Sequence, residues 1–274
     1  MDSARNQVMF ALNDYLAGIA LDQLSNQAAV GGISFSTGAN NGLMLNANGY
    51  TQRLPQLFDA LLQGYFSYTP TEEQLEQAKS WYLQMMDSAD KGKAYEQAIM
   101  PVQMVSQVPY FQREDRKALL PSITLKEVMD YRDRLKAGAR PEFMVIGNLS
   151  ADQSKTLARS IQTQLGANGS EWCRNKDVLV DKQQNVIFEK AGASTDSALA
   201  AVFVPPNVDE FSSSAASAML AQIVQPWFYT QLRTEEQLGY AVFAFSMNVG
   251  RQWGMGFLLQ SNDKQPSFLW QRFK

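Results

Sequence analysis

The order of predicted elements near the N-terminus recurs near the C-terminus. A helical pattern over Ala4–Gln27 leads through Gly31 into a segment in which hydrophobic and polar residues alternate. A second helical pattern over Phe211–Leu232 leads through Gly239 into another alternating segment, about 210 residues later. That offset far exceeds the roughly 20–50 residues of solenoid repeats, so the pattern favours two duplicated domains. Because the copies share little identity and a helix followed by a hairpin is a common arrangement, two domains of separate origin also fit.

The chain is long enough to form more than one hydrophobic core. Its 274 residues are 45% hydrophobic, and chains of this size commonly divide into two domains. The most linker-like stretch is Gly166–Ser170, which consists of glycine and small residues. We therefore expect the boundary between positions 166 and 180, with one domain over 1–170 and a second over 171–274.

Strand signals lie between the helical patterns. The Asn41-Gly42 pair predicts a hairpin turn between the segments 33–36 and 43–47. Thr71 and Gln74 have the spacing of a capping box and predict the start of a helix. Short apolar or alternating runs predict further strands at Glu142–Gly147, Val178–Asp181, Val186–Glu189, Ala198–Val204, Leu238–Asn248 and Trp253–Gln260.

The chain contains no histidine and a single cysteine, Cys173. Ser-His-Asp and Cys-His catalysis both use an imidazole as the base, so neither can be complete in this chain. A tetrahedral zinc site needs several nitrogen or sulfur ligands, which one cysteine cannot supply. The sequence therefore predicts no metal-binding residues, no bound cofactor and no intrachain disulfide.

The charge pattern disfavours two classes of partner. The chain has 24 basic and 27 acidic residues, and its net charge of -3 provides no basic surface for phosphate groups. No apolar run approaches the roughly 20 residues of a membrane-spanning helix. We therefore expect neither nucleic acid nor a membrane as a partner.

The clearest chemical pattern is the segment Leu232–Tyr240. Arg233 is predicted in the last turn of the long helix. If Phe243 and Phe245 face that helix, Tyr240 emerges on the opposite face of the strand, where Arg233 could approach it. A phenol and a guanidinium are donors that can polarise a carbonyl or hold an oxyanion. Both residues also suit structural roles, because arginine favours helix C-termini and tyrosine is common in strands.

Two short matches point to a different chemistry. Ser88–Lys91 and Ser261–Lys264 have the Ser-x-x-Lys form of serine acylases. The Lys-Thr-Gly motif that accompanies it in those enzymes is absent. Chance explains two such matches in a serine-rich chain, and a serine acylase that acts through Ser88 or Ser261 is an alternative hypothesis.

Leu232–Tyr240, followed by Val242-Phe243, resembles the C-terminal half of zinc metallopeptidases of the insulin-degrading-enzyme type. The resemblance extends over essentially the whole chain through Phe10–Leu16, Gly32–Phe35, Gly49-Tyr50 and Ser197–Lys274. It implies the α+β class, with two homologous domains that each have a mainly antiparallel sheet and helices packed on one face. Residues 1–170 would be the third homologous domain, incomplete at its N-terminus. Residues 171–274 would be the start of the fourth, truncated at its C-terminus.

The resemblance also implies a function within a longer protein. The chain would be the non-catalytic C-terminal part of a periplasmic zinc endopeptidase that degrades small peptides, with its signal peptide upstream. In the family, zinc is held in the N-terminal half by a His-x-x-Glu-His motif and a distal Glu, none of which occurs here. The two halves enclose a proteolytic chamber. The implied partners are peptide substrates and the N-terminal zinc-binding half of the same polypeptide.

The resemblance assigns roles to two residues. Tyr240 would donate a hydrogen bond to the scissile carbonyl or to the tetrahedral oxyanion. Arg233 would hold a nearby backbone carbonyl of the substrate. Alone, the chain is expected to be inactive and to bind no zinc. The alternative within the same fold is a metal-free peptide-binding or assembly module.

Overall fold

The computed structural model describes residues 3–39, 42–166, 186–191, 194–206 and 209–274. Contacts between Cα atoms divide the chain into two compact units, and each is described here by itself. Unit 1 consists of Met1–Met86 and Phe111–Arg174, and unit 2 consists of Asp87–Tyr110 and Asn175–Lys274.

Two sequence predictions lie wholly or partly outside the described residues. They are the linker Gly166–Ser170 and the strand Val178–Asp181. Cys173 also lies outside the described residues. The division into a third and a fourth homologous domain, over 1–170 and 171–274, stays a prediction.

The first part of the chain is mostly helical. Its elements are α1 Ala4–Val30, β1 Ser34–Ala39, β2 Leu43–Asn48, α2 Leu54–Ser67, α3 Glu72–Asp90, α4 Ala94–Ser106, α5 Arg113–Leu119, a 3-10 turn Leu120–Ser122, α6 Leu125–Ala137 and α7 Ala151–Leu165. The remaining elements are β3 Ser197–Phe203, α8 Glu210–Tyr229, a π-helical segment Thr230–Glu235, β4 Ala241–Val249, β5 Gln252–Ser261 and α9 Pro266–Phe273.

Helix α1 forms the centre of unit 1 and contacts α2, α5 and α6. Its residues Val8, Leu12 and Leu16 are buried, and their four-residue spacing puts them on one face of the helix. Strands β1 and β2 form the predicted antiparallel hairpin, in which Phe35 lies opposite Ala47. Positions 40 and 41 of the predicted turn are not among the described residues.

A buried polar network joins α1 to α2 within unit 1. Asn13, which is fully buried, donates from Nδ2 to the hydroxyl of Tyr65 at 3.1 Å. The hydroxyl of Tyr68 donates to Oδ1 of Asn13 at 2.8 Å, and the hydroxyl of Tyr65 donates to Asp14 at 3.1 Å. Burial is the main cause that raises the pKa values of Tyr65 and Tyr68. Both phenols therefore stay neutral, and each provides the proton that its acceptor in the network requires.

The capping box that begins at Thr71 is confirmed. The backbone N–H of Thr71 donates to Oε1 of Gln74 at 2.9 Å, and the backbone N–H of Gln74 donates to Oγ1 of Thr71 at 3.2 Å. Helix α3 begins at Glu72, the next residue. Two of the free donors at its N-terminus are thereby satisfied.

Two strand predictions are wrong. Residues 142–147 and 186–189 form neither helix nor strand. Met144 is 85% exposed and Ile146 is 82% exposed, although the run Glu142–Gly147 has the composition of a buried strand. An apolar run becomes a strand only when a neighbouring strand completes its hydrogen bonds, and neither segment pairs with a strand among the described residues.

Unit 2 contains an antiparallel sheet with the strand order β3-β5-β4. Helices α8 and α9 pack on one face of the sheet. The buried core there consists of Phe228, Leu232, Leu238, Val242, Ala244, Met255, Leu259 and Leu269. Helix α4 also contacts all three strands, and its residue Tyr95 bonds to the side chain of Gln260. Because Gln260 lies opposite Ala241 in the register, its side chain points away from the core face that contains Val242. The opposite face of the sheet therefore receives α4.

The α+β class is confirmed. Helices predominate in the described part of the chain, and its sheets are small and antiparallel. Among the helices described, none has both the length and the apolar character needed to cross a lipid bilayer.

Candidate functional site

Tyr240 lies immediately before β4, five residues after the end of the π-helical segment. Its backbone N–H donates to the carbonyl oxygen of Gln260 at 3.0 Å. The register pairs Gln260 with Ala241, so Tyr240 and Ala241 both lie opposite this one residue of β5, as in a β-bulge. The backbone of Tyr240 is therefore held by the sheet, while its side chain remains 49% exposed.

Gly239 permits this arrangement because it is the residue of closest approach to β5. A Cβ atom at position 239 would lie 2.1 Å from the carbonyl oxygen of Gln260. No side chain can occupy that position unless the backbone moves. Glycine is therefore required here by backbone packing, next to the residue whose phenol is exposed.

We expect Gly239→Ala to destabilise unit 2 and to displace Tyr240. The forced separation of the backbones should cost about 1–3 kcal/mol, as overpacking of a well-packed site does. Gly254→Ala is the matched control, because its Cβ would also lie 2.1 Å from a backbone oxygen, that of Phe203. Thermal unfolding should show similar losses of stability for both variants, and only Gly239→Ala should change the NMR resonances of Tyr240. Equal changes at Tyr240 in the two variants would contradict this interpretation.

The hydroxyl of Tyr240 belongs to a hydrogen-bonded group of side chains. It donates to Oδ2 of Asp196 at 2.6 Å. Nε2 of Gln260 donates to the same carboxylate oxygen at 2.8 Å and also to the hydroxyl oxygen of Tyr240. Oε1 of Gln260 accepts from the backbone N–H of Tyr95 at 3.0 Å. Three strand ends and the start of α4 therefore meet at one phenol.

These bonds shift the pKa values of Asp196 and Tyr240 in opposite directions. The hydrogen bonds from Tyr240 and Gln260 hold the pKa of Asp196 below its ordinary value. The bond to Asp196, followed by partial desolvation and the charge of that carboxylate, raises the pKa of Tyr240. At neutral pH the pair is therefore a carboxylate and a protonated phenol, and Tyr240 keeps a proton that it can donate.

Arg233 lies in the π-helical segment that follows α8 and is half-buried. Its guanidinium has no hydrogen bond or ion pair with any residue that the structure describes. The carboxylate of Glu236, three residues later, accepts hydrogen bonds from two guanidinium nitrogens of Arg272, at 2.8 and 2.6 Å. It also accepts one from the side-chain amide of Gln231 at 2.9 Å. The end of the segment is thus anchored to α9 while the guanidinium of Arg233 keeps its donors available. π-Helical turns are rare and occur frequently at functional sites.

The structure corrects the predicted orientation of strand β4. Phe243 is 47% exposed, whereas Val242 and Ala244 are buried in the core with α8. The smaller side chains face the helix because they let it approach the sheet closely, and Phe245 instead covers Gly256 on the neighbouring strand. No hydrogen bond joins Arg233 to Tyr240 among the described residues.

Asp196 and Gln260 were not found from the sequence. Asp196 is 44 residues from Tyr240, and neither belongs to a recognisable motif. Strand β5 pairs with both β3 and β4, and this pairing places the residue before β3 beside the end of β5. Only the strand order could have revealed the group.

The two Ser-x-x-Lys segments do not form nucleophilic sites. Ser261 is fully buried, and its hydroxyl donates to Asp263 at 2.9 Å and accepts the backbone N–H of Lys264 at 3.1 Å. Lys264 pairs with Asp263 at 3.0 Å. In the described structure no hydrogen bond joins Ser88 to Lys91. The Ser-x-x-Lys chemistry needs the lysine amine beside the serine hydroxyl, and among the described residues neither Lys91 nor Lys264 bonds through its side-chain amine to the serine of its segment.

The residues of this chain do not fit a zinc site. The sequence has no histidine and one cysteine. Within the described ranges, no group of three or more histidine, cysteine, aspartate or glutamate residues is arranged to hold a metal ion. One cysteine cannot by itself supply the several nitrogen or sulfur donors that a tetrahedral zinc site needs.

Two family models match parts of the chain. Residues 1–118 match the middle or third domain of M16 peptidases. Residues 219–274 match domain 4 of the C-terminal lobe of PqqF-like PQQ synthases. The two matches lie on either side of the predicted boundary.

Individual proteins match over all or most of the chain. Protease 3 of Shigella flexneri is 82% identical over 274 residues, which are 100% of this chain and 28% of that protein. The crystal structure of pitrilysin superposes with a TM-score of 0.95 at 81% identity, over 100% of this chain and 29% of that one. Human insulin-degrading enzyme is 18% identical over 258 residues, or 91% of this chain and 25% of the enzyme.

The chain spans about 28% of the length of the Protease 3 relatives. The family predicted from the segment around Arg233 and Tyr240 is confirmed by these matches. The chain is a homologue of Protease 3 and belongs to the M16 peptidase family.

Proposed function

We propose that this chain forms the wall of a peptidase chamber and supplies Tyr240 and Arg233 to the peptide substrate. Residues 1–170 and 171–274 correspond in this proposal to a third and a fourth homologous domain of one longer polypeptide. The N-terminal half of that polypeptide holds the zinc ion. High identity to Protease 3 over the full length of the chain supports this assignment. The proposed substrates are small peptides, and the proposed location is the periplasm.

The observation that carries the proposal is the state of the Tyr240 phenol. Its backbone is held by the sheet, its hydroxyl is protonated at neutral pH, and its side chain is half exposed. A phenol in this state can donate to a peptide carbonyl as negative charge develops on the oxygen. Because the sheet already holds the backbone of Tyr240, only its hydroxyl has to change partner when the substrate binds.

Arg233 complements Tyr240 in this proposal. A guanidinium has five N–H donors, and that of Arg233 bonds to no other side chain in the described part of the chain. It can therefore hold a backbone carbonyl of the peptide near the bond that is cut. Because this contact is the same before and during the reaction, it contributes mainly to substrate binding.

The proposal is tested by comparing the 274-residue chain with the longer polypeptide that includes the N-terminal half. We expect the chain alone to leave a fluorogenic peptide uncleaved, with or without added zinc, because its residues cannot form a zinc site. The longer polypeptide should cleave the peptide, and a chelator should abolish that cleavage. Chelator-sensitive cleavage by the chain alone would overturn the proposal. Tight peptide binding by the chain, with no activity in the longer polypeptide, would instead indicate a metal-free binding module.

A further inference from the structure

The amide of Gln260 has a single orientation in the structure. The side chain is 2% exposed, and its Oε1 faces the backbone N–H of Tyr95 at 3.0 Å. A backbone N–H can only donate, so the oxygen of the amide must face it and the NH₂ group must face Asp196 and Tyr240. The start of α4 therefore fixes which groups Gln260 offers to the phenol.

The phenol of Tyr240 has one proton, and the structure shows where that proton goes. The oxygen accepts a hydrogen bond from Gln260, and the hydroxyl donates to Asp196 at 2.6 Å. A hydroxyl has one donor and two acceptor sites, so the proton of Tyr240 cannot serve Asp196 and a substrate carbonyl at once. Before it can donate to a substrate, the phenol must release Asp196.

We propose that Asp196 is a positioning residue that holds the phenol of Tyr240 in place until a substrate oxygen replaces Asp196 as the acceptor of its hydrogen bond. This inference rests on the proposed function of Tyr240. Gln260 keeps the phenol oxygen in place throughout, because its bond to that oxygen does not involve the proton of Tyr240. Asp196 acts through Tyr240 and does not touch the substrate.

The exposure of the Tyr240 side chain makes this positioning necessary. Nearly half of the residue is exposed, so packing restrains its ring less than it restrains that of a buried tyrosine such as Tyr65. The other ionisable groups nearby belong to the start of α4, where Tyr95 lies close to Tyr240 and Lys93 lies over the ring of Tyr95 at 5.7 Å. In the described structure neither makes a hydrogen bond to the Tyr240 hydroxyl. Asp196 is thus the group whose removal should most change the state of the phenol.

The first test uses the 274-residue chain with ¹³C-labelled tyrosine. Tyr240→Phe identifies the Tyr240 resonance by its loss, and the resonance is then followed through a pH titration. In Asp196→Asn the midpoint should move downward towards that of free tyrosine, because the charged acceptor is gone. Asp209→Asn is the matched control, since Asp209 is an exposed aspartate of unit 2 that caps α8 and accepts from Ser212 at 2.9 Å. An unchanged midpoint in Asp196→Asn, with an unchanged circular dichroism melt, would overturn the pairing.

The second test is a double-mutant cycle in the longer polypeptide. We expect Asp196→Ala to lower kcat by about 10- to 100-fold with little change in KM, as a misplaced catalytic group does. Asp196→Asn keeps an acceptor oxygen and should recover part of the loss. In a Tyr240→Phe background, Asp196→Ala should have no further effect. An equal loss in both backgrounds would show that Asp196 does not act through Tyr240.

The two tests separate this inference from the proposed function. If the titration midpoint moves but Tyr240→Phe leaves turnover unchanged, the proposed function fails and the positioning role fails with it. If Tyr240→Phe lowers turnover but the midpoint does not move, the proposed function stands and the role of Asp196 is wrong. Movement of the midpoint together with a non-additive cycle supports both.

Discussion

Tyr240→Phe should lower the kcat of the longer polypeptide by about 10²- to 10³-fold, which is the effect of removing one oxyanion donor. Phenylalanine keeps the ring and removes only the hydroxyl, so the fold of unit 2 should be unaffected. KM should change little, because the lost hydrogen bond strengthens only as negative charge develops on the peptide oxygen.

Steady-state kinetics with a fluorogenic peptide measures this effect. Tyr229→Phe is the matched control, because Tyr229 is an exposed tyrosine of the same unit at the end of α8. Arg233→Gln should affect the two kinetic constants in the opposite way to Tyr240→Phe: it should raise KM and lower kcat less. A Tyr240→Phe variant with wild-type turnover would assign the tyrosine to structure alone.

Asn13→Ala should lower the free energy of unfolding by about 2–4 kcal/mol. The substitution removes two buried hydrogen bonds, those with Tyr65 and Tyr68, at about 1 kcal/mol each. It also leaves a cavity in the core of unit 1, which adds to the loss. This loss exceeds the about 1–3 kcal/mol expected for Gly239→Ala.

Chemical denaturation of the chain measures this loss. Asn26→Ala is the matched control, because Asn26 lies on the same helix and, among the described residues, its side chain bonds only to Asp22 on the exposed surface. Its removal should change stability by about 0.5 kcal/mol or less. Similar losses for the two variants would mean that the network around Asn13 contributes nothing beyond helix propensity.

Much of the secondary structure could be predicted from neighbouring residues. The capping box at Thr71 and the hairpin β1–β2 rest on interactions a few positions apart, and each was found where its pattern indicated. Glu142–Gly147 has an equally clear pattern and forms no strand. The difference is that a capping box contains its own partners, whereas a strand needs a neighbour that its own residues do not specify.

The sequence by itself determined the family of this protein and the identity of its two candidate site residues. Arg233 and Tyr240 lie within one short segment whose order of residue types is distinctive, so no knowledge of the fold was needed to find them. The same segment did not reveal how strand β4 is oriented. The phenylalanines were expected to face α8, and Val242 and Ala244 face it because small residues allow the closer approach.

Only the tertiary structure decided what surrounds the phenol of Tyr240. Asp196 is 44 residues away, and the bond that orients Gln260 spans 165 residues to Tyr95. These groups meet because β5 pairs with both β3 and β4 and because α4 packs against the same sheet. Hydrogen bonds between side chains act over about 3 Å in space at any separation in sequence. A local pattern can therefore identify Tyr240 as the donor, but only the packing of the sheet determines which residues position its phenol.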